Sequence, residues 1–364
     1  MCNGHQVLFN DSNQSFYTEE CTVPNLLVGE VLVKIMYTSL CGSDIHTYTG
    51  KRKEPSPIIL GHEIVGEIIS FGTAAVHFDL NGQLIQKGDR ITWSIFAASY
   101  NDEFVQQQMP QKSKNLFKYG HVQYTNDSNF NGGLATHCIL RKGTGIVKLP
   151  LNINPKVATI INCAGATVMS AFRIVDAIEG KNVAIFGAGT LGLLAAAVAK
   201  CKGAATVTIL DIDDARLALS KKFGADFTVN TVSAIDDIST IINQFYKKGF
   251  DVIIDMSGSY DAMVLGLNTS AIGAQNIWVG GVVPMNNIPI NPEVMIRKLL
   301  TIKGMHNYNY QDLTDAVSFF DKYHATYDFK LFIEKEFNLS EVEEAFQYAV
   351  NYKPLRTLIT NTNV

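Results

Sequence analysis

The chain has 364 residues, 47% of them apolar and 18% charged, with a formal net charge of −4. That supplies two hydrophobic cores and excludes a disordered chain. The mildly acidic balance gives no footing on a nucleic-acid backbone or an anionic membrane, so the expected partner is a small molecule.

The first stretch, MCNGHQVLFNDSNQSF, has no basic region followed by an apolar run, so no targeting segment is read there. The longest apolar run, Leu191 to Ala199, is too short to span a bilayer. Six scattered cysteines without C-x-x-C or disulfide-like spacing fit a reducing, cytoplasmic setting. Over the first 150 residues GEVLVKIMYTSL, EIVGEIISFG, KGDRITWSI and LATHCILR are short β-branched runs between Gly, Pro, Asn and Asp punctuation. They predict an antiparallel, partly open barrel.

Within this region LCGSDIHTYTG brings Cys41, Asp44 and His46 together. A thiol and an imidazole so close could both ligate zinc, yet ordinary loops produce the pair often. ILGHEIVGEI adds His62 and Glu63 between two strands, and INCAGATV adds Cys163. Two thiolates and an imidazole from three separated segments match a catalytic zinc with three protein ligands and one open position. The lysines of QKSKNLFK read as a solvated surface.

From about Ala164 helices alternate with continuous apolar strands. TVMSAFRIVDAI predicts a helix over 167–178, followed by NVAIFG (strand), LGLLAAAVAKCKG (helix), TVTILD (strand) and DARLALSKKFGA (helix). Buried strands alternating with helices imply βαβ units and a doubly wound parallel sheet. VAIFGAGTLG carries Gly187, Gly189 and Gly192 in the G-x-G-x-x-G order between a strand and a helix, the context in which a backbone turn and a helix N-terminus cradle a pyrophosphate. Asp211 ends the next strand, placed to accept hydrogen bonds from ribose hydroxyls and to repel a 2′-phosphate, and no Arg or Lys follows before Arg216. NAD is therefore expected over NADP. After DVIIDMSG and NIWVGG the alternation ends near Lys303; the tail mixes the helices DLTDAVSFFDKY and LSEVEEAFQYAV with short strands, and pattern alone does not say which domain it joins.

Taken together, C-G-S-D-I-H, G-H-E-x-x-G, a Cys before the coenzyme domain and G-x-G-x-x-G with a downstream acid resemble the zinc-dependent alcohol dehydrogenases of the medium-chain dehydrogenase/reductase superfamily. Alcohol dehydrogenase is the standing example of the Cys2His ligand set. The resemblance implies a GroES-like β-rich catalytic domain (1–155), a Rossmann NAD-binding domain (156–302) and a C-terminal segment (303–364) that returns to the catalytic domain. It implies Cys41, His62 and Cys163 as zinc ligands, Glu63 as an alternative ligand or neighbouring carboxylate, and Asp44 as the group that orients His62. Ser43 and His46 resemble a proton relay rather than ligands. Thr167 resembles a residue packed on the nicotinamide, with Val279 and Gly280 beside its carboxamide.

The family often holds a structural zinc on four cysteines, but Ser99, Asp102, Val105 and Ser113 stand at those positions, so one zinc per chain is expected. Homodimers or homotetramers are expected as well. LFKYGHVQY, GMHNYNY, GTGIVKLP and CAGATVMSAF resemble the branch associated with phosphonate catabolism, in which Lys118, His121, His306 and Asn307 would meet an anionic headgroup. The implied activity is hydride transfer between a primary or secondary alcohol, a hydroxyphosphonate or other polar alcohol among them, and NAD. The alternatives are a zinc-free quinone or enoyl reductase of the same fold, which needs no thiolates, and a non-catalytic NAD(H)-binding protein, which needs no relay.

Overall fold

A computed structural model describes residues 3–361, apart from 13, 127 and 233–247. The chain divides into two compact units, Met1–Ala166 with Tyr308–Val364, and Thr167–Asn307. Among the described residues no helix is long and apolar enough to cross a membrane.

The first unit is β-rich. Strands β1 (Asn3–Asn10) and β2 (Ser15–Thr22) form an antiparallel ribbon. The main sheet is built on β3 (Val31–Ser39), β4 (Glu63–Phe71), β5 (Arg90–Ala97), β6 (Phe117–Lys118), β7 (His137–Leu140) and β8 (Thr144–Lys148). Val31, Val33 and Ile35 alternate onto one face of β3 and are buried in the core. The tail supplies β15 (Ile333–Asn338) and β16 (Arg356–Thr360), and β16 pairs antiparallel with β3. Ser39 faces Leu358 on one side and Glu63 on the other. The end of β3 and the starts of β4 and β16 therefore meet at one edge of the sheet.

The second unit is a six-stranded, wholly parallel sheet. In chain order its strands are β9 (Asn182–Phe186), β10 (Thr206–Asp211), β11 (Phe227–Asn230), β12 (Phe250–Asp255), β13 (Ser270–Trp278) and β14 (Thr301–Gly304). Their spatial order is β11-β10-β9-β12-β13-β14, with β9 at the centre. This is the doubly wound Rossmann order, whose ligand crevice opens at the carboxyl ends of the strands where the order reverses. The α/β class with a GroES-like β-rich domain and a Rossmann sheet holds.

The helix expected over 167–178 runs instead over Ala166–Arg173. The carbonyl of Ile174 accepts a hydrogen bond from Lys303 Nζ at 2.8 Å, and the Asp176 amide is drawn to Gln275 at 3.3 Å, so tertiary partners replace the next helical turn. Ahead of that helix, Ile161–Gly165 forms a π-helical turn that carries Cys163. Such turns recur at functional sites because they re-aim one side chain.

Candidate active site

In the first unit the side chains of Cys41, His62, Glu63 and Cys163 bring one ligand atom each to within 4.8 Å of one another. Cys41 follows β3 and caps the helix Gly42–Tyr48, His62 and Glu63 open β4, and Cys163 sits in the π turn. Cys163 Sγ lies 3.4 Å from His62 Nε2. Two donors of one tetrahedral zinc are separated by roughly 3.5 Å, given Zn–S and Zn–N distances of about 2.3 and 2.0 Å.

Asp44 is buried and ties the cluster together. Its Oδ2 accepts the Cys41 amide at 2.9 Å, its Oδ1 accepts the Gly61 amide at 3.1 Å, and the same Oδ1 lies 3.4 Å from His62 Nδ1. That carboxylate fixes the imidazole so that Nε2 points at the thiols, the usual partnership behind a metal-bound histidine. His62 Nδ1 has no aligned hydrogen-bond partner, so the contact with Asp44 is an ion-pair distance rather than a formed bond.

The electrostatics fit a cation. Burial works against a charged His62 ring, but Asp44 and Cys41 outweigh it and raise the ring to about 10. A hydrogen bond shared with Cys163, helped by Arg356 and His62, holds Cys41 well below the ordinary thiol value against its burial. The same shared bond, with burial, pushes Cys163 well above it. Two half-buried thiols thus hold one proton between them, a state that a bound divalent ion resolves by taking both as thiolates.

Glu63 is engaged on both oxygens. Arg356 reaches it from β16 with Nε to Oε2 at 2.7 Å and Nη2 to Oε1 at 2.8 Å, and Ser39 Oγ donates to Oε2 at 2.5 Å. Arg356 Nη2 also lies 3.9 Å from Cys41 Sγ. Sequence reasoning missed Arg356; its signal is a single charge in the otherwise uncharged last strand, RTLIT. It also missed buried Asn162, whose Nδ2 donates to the carbonyls of His62 and Trp93 at 3.0 and 2.9 Å and pins the π turn beside its neighbour Cys163.

Ser43 and His46 lie three residues apart on the helix Gly42–Tyr48, hence on one face. Among the described residues neither Ser43 Oγ nor the His46 ring has a hydrogen-bond partner. Burial and the cations Lys51 and Arg52 lower His46 below 6.5, with Cys41 opposing, so the ring is a neutral proton acceptor near neutrality. The His121 ring lies tilted against the His62 ring, 5.0 Å between centroids. Lys118 is half-buried, not part of the solvated surface expected for its stretch. His306 and Asn307 belong to the second unit.

In the second unit the strand β9 turns at Gly187, whose φ of +96° suits glycine alone and whose absent Cβ would lie 3.1 Å from Ser257. A Cβ on Gly192 would meet the Gly187 carbonyl at 1.7 Å, so the helix Thr190–Cys201 packs there only with glycine. Gly189, by contrast, faces open space. That is the spot at which a pyrophosphate approaches the backbone, and the cradle fits a dinucleotide.

Asp211 accepts the amides of Ala188, Ile212 and Asp213 at 2.5, 2.7 and 2.9 Å, tying the glycine turn to the end of β10. Asp255, unanticipated, does the same at the end of β12: its carboxylate accepts Ser257 Oγ at 2.6 Å and the Gly258 amide, and its carbonyl accepts the amides of Val279 and Gly280. Thr167 opens this unit, and its carbonyl accepts Ser170 Oγ at 2.8 Å.

Two family models match the chain: the alcohol dehydrogenase GroES-like domain over residues 28–151 and zinc-binding dehydrogenase over 190–322. The chain belongs to the zinc-binding dehydrogenases of the medium-chain dehydrogenase/reductase superfamily. L-threonine 3-dehydrogenase of Escherichia coli is 28% identical over 317 residues, covering 81% of this chain and 82% of its own length. An alcohol dehydrogenase of Thermotoga maritima superposes with a TM-score of 0.92 at 26% identity, covering 99% of this chain and all of the other. A zinc-binding dehydrogenase of Sinorhizobium meliloti, solved with NADP, shares the fold at a TM-score of 0.84 and 20% identity over 99% of this chain and 100% of its own.

Proposed function

We propose that the protein is a zinc-dependent, NAD-linked alcohol dehydrogenase, with catalysis in the β-rich unit and coenzyme binding in the Rossmann unit. The observation that carries this is the convergence of half-buried Cys41 and Cys163 on buried His62, with Asp44 behind the imidazole. Cys41, His62 and Cys163 would hold one zinc, while Glu63, engaged by Arg356 and Ser39, stays beside it as a charge partner. When bound, zinc supplies Lewis acidity to the substrate oxygen and NAD supplies the hydride acceptor.

The chain's own residues do the remaining work. Ser43 takes the hydroxyl proton, and His46, three residues along the same helix face, relays it toward solvent. The glycine turn, with Gly189 facing open space, holds the pyrophosphate at the helix N-terminus. Asp211 disfavours a 2′-phosphate and so favours NAD. Thr167 and Val279 pack beside the nicotinamide. The substrates proposed are primary or secondary alcohols, polyols and hydroxyphosphonates among them. A cytoplasmic homodimer or homotetramer is part of this reading: the reducing compartment keeps the thiols free, and among the described residues β14 is the outer strand of its sheet, an edge for a second copy.

Elemental analysis combined with reduction of NAD⁺ and NADP⁺ over alcohols, polyols and hydroxyphosphonates tests this. The expected result is close to one zinc per chain and alcohol-dependent NADH formation. Enone or quinone reduction by metal-free protein would instead favour the zinc-free reductase. NADH binding without zinc or turnover would leave a binder.

A further inference from the structure

We infer that the alcohol oxidised at this site carries an anionic group within a few bonds of the reacting hydroxyl, and that Lys118 is the residue that selects it. This rests on the zinc dehydrogenase reading and names its substrate class.

Lys118 ends β6, opposite Phe96 on β5. Its neighbours in the stretch behave as surface lysines: Lys112 and Lys114 are exposed, and Lys114 pairs with Glu103 at 3.0 Å. Lys118 differs. Its ammonium is half-buried and makes no hydrogen bond or ion pair among the described residues. The charges within reach are Cys163, Cys41 and Glu54, which favour the ammonium, and Arg52, which opposes it.

Those counter-charges are already committed. Two thiolates and a neutral imidazole around a divalent cation sum to zero, so the loaded metal site no longer compensates Lys118. Glu54 is claimed by Arg52, whose Nη2 lies 2.6 Å from Oε1. His121 brings no second anion: its Nδ1 is 2.8 Å from the Tyr119 carbonyl, and its Nε2 is 3.9 Å from Glu54 Oε1.

One carboxylate therefore serves two cations in a half-buried cluster. An unpaired charge in such a place costs free energy unless something completes it. The cluster adjoins the metal ligands, because the His121 ring packs at a tilt against His62, 5.0 Å between centroids. A small alcohol bound through its hydroxyl would bring an attached carboxylate, phosphate or phosphonate to Lys118, where a charge-assisted hydrogen bond forms.

A rival role for Lys118 is to tune the thiolates, and the two roles separate experimentally. In zinc-loaded enzyme with NAD⁺, kcat/KM is compared for 4-hydroxybutanoate, 3-hydroxypropyl phosphate and 1-butanol. The wild type should prefer the anionic alcohols by roughly 10- to 100-fold. Lys118→Met should abolish that preference through KM while zinc content holds, and Lys118→Arg should keep part of it. A larger preference for the phosphate than for the carboxylate identifies the dianion as the natural partner. Equal slowing of anionic and neutral alcohols in Lys118→Met, or a wild-type preference for 1-butanol, overturns the assignment. If no alcohol is oxidised, the dehydrogenase reading itself falls. Calorimetric titration of 3-hydroxypropyl phosphate into zinc-loaded wild type and Lys118→Met still decides the subsite, with equal affinities ruling it out.

Discussion

Arg356 pairs with the innermost carboxylate of the cluster. Glu63 is fully buried, and its two bonds to Arg356, with the one from Ser39, offset its desolvation cost. Arg356→Met should destabilise the protein by about 3–5 kcal/mol, because it leaves a buried charge unpaired. Burial raises Glu63 and Arg356 opposes that rise. A carboxyl raised in the folded state stabilises below its unfolded pKa and loses that contribution as pH rises through the folded value. The deficit of Arg356→Met should therefore widen with pH and be partly restored by adding Glu63→Gln, as read by urea unfolding; a deficit independent of pH would mean that the pair is not the cause. His46 gives a kinetic counterpart. His46→Gln should slow alcohol oxidation from neutrality down to the lowered pKa of His46, by ~10²-fold or more, with rescue by imidazole buffer and unchanged zinc. Lost zinc would make it a ligand instead. His46 stood within a readable motif, whereas Arg356 lies 293 residues from its partner, a pairing that no local pattern carries.

At the scale of elements, the lobe after β5 shows how a segment lacking thiols is held. Asp102 caps the helix Glu103–Gln106 through the Phe104 amide at 2.9 Å, and its other oxygen accepts Ser113 Oγ at 3.1 Å and the Lys114 amide at 2.9 Å. Its own amide donates to the Ser99 carbonyl at 3.0 Å, and its carboxylate also takes the amide of Val105. The four positions aligned with cysteines are thus joined through one residue, Asp102, by its amide to Ser99 and its carboxylate to Val105 and Ser113. The amide of Lys114, then Phe104 and Ser113, hold Asp102 below its ordinary value despite some desolvation. A depressed acid contributes stability above its unfolded pKa and loses it as pH falls through the folded one. Asp102→Ala should accordingly speed trypsin cleavage at Lys112 and Lys114 and amide exchange over residues 99–114 at neutral pH, with the difference from wild type vanishing in strong acid. Unchanged exchange would show that packing alone holds the lobe. The missing thiols were plain in the sequence; the substitute was not, because an Asp among Asn, Ser and Gln looks like any turn residue. The π turn at Cys163 was hidden for a similar reason, since its amino acids suit an α-helix equally well.

Across the whole molecule, the period of the apolar residues was the dependable signal. Continuous apolar runs between helices specify a parallel sheet, and a β-branched, punctuated first half specifies an antiparallel one. Which strands become neighbours is fixed by pairing across hundreds of residues, and for that reason the place of β16 beside β3 could not be read from local pattern. The outcome is a chain in which every proposed metal ligand lies in one unit and the entire glycine cradle, with Asp211, in the other. Each site is complete on its own elements, so ligand loss at one should leave the other formed. Removal of zinc with a chelator should abolish alcohol oxidation while the affinity for NADH, followed by its fluorescence, changes by less than about tenfold, the span of 1.4 kcal/mol. Gly189→Ala should do the reverse, since its side chain meets no protein atom: thermal stability and zinc content stay at wild-type values while NADH binding weakens. If chelation instead abolishes NADH binding, the metal would be holding the coenzyme unit's structure, and the independence argued from the placement of these residues would be wrong.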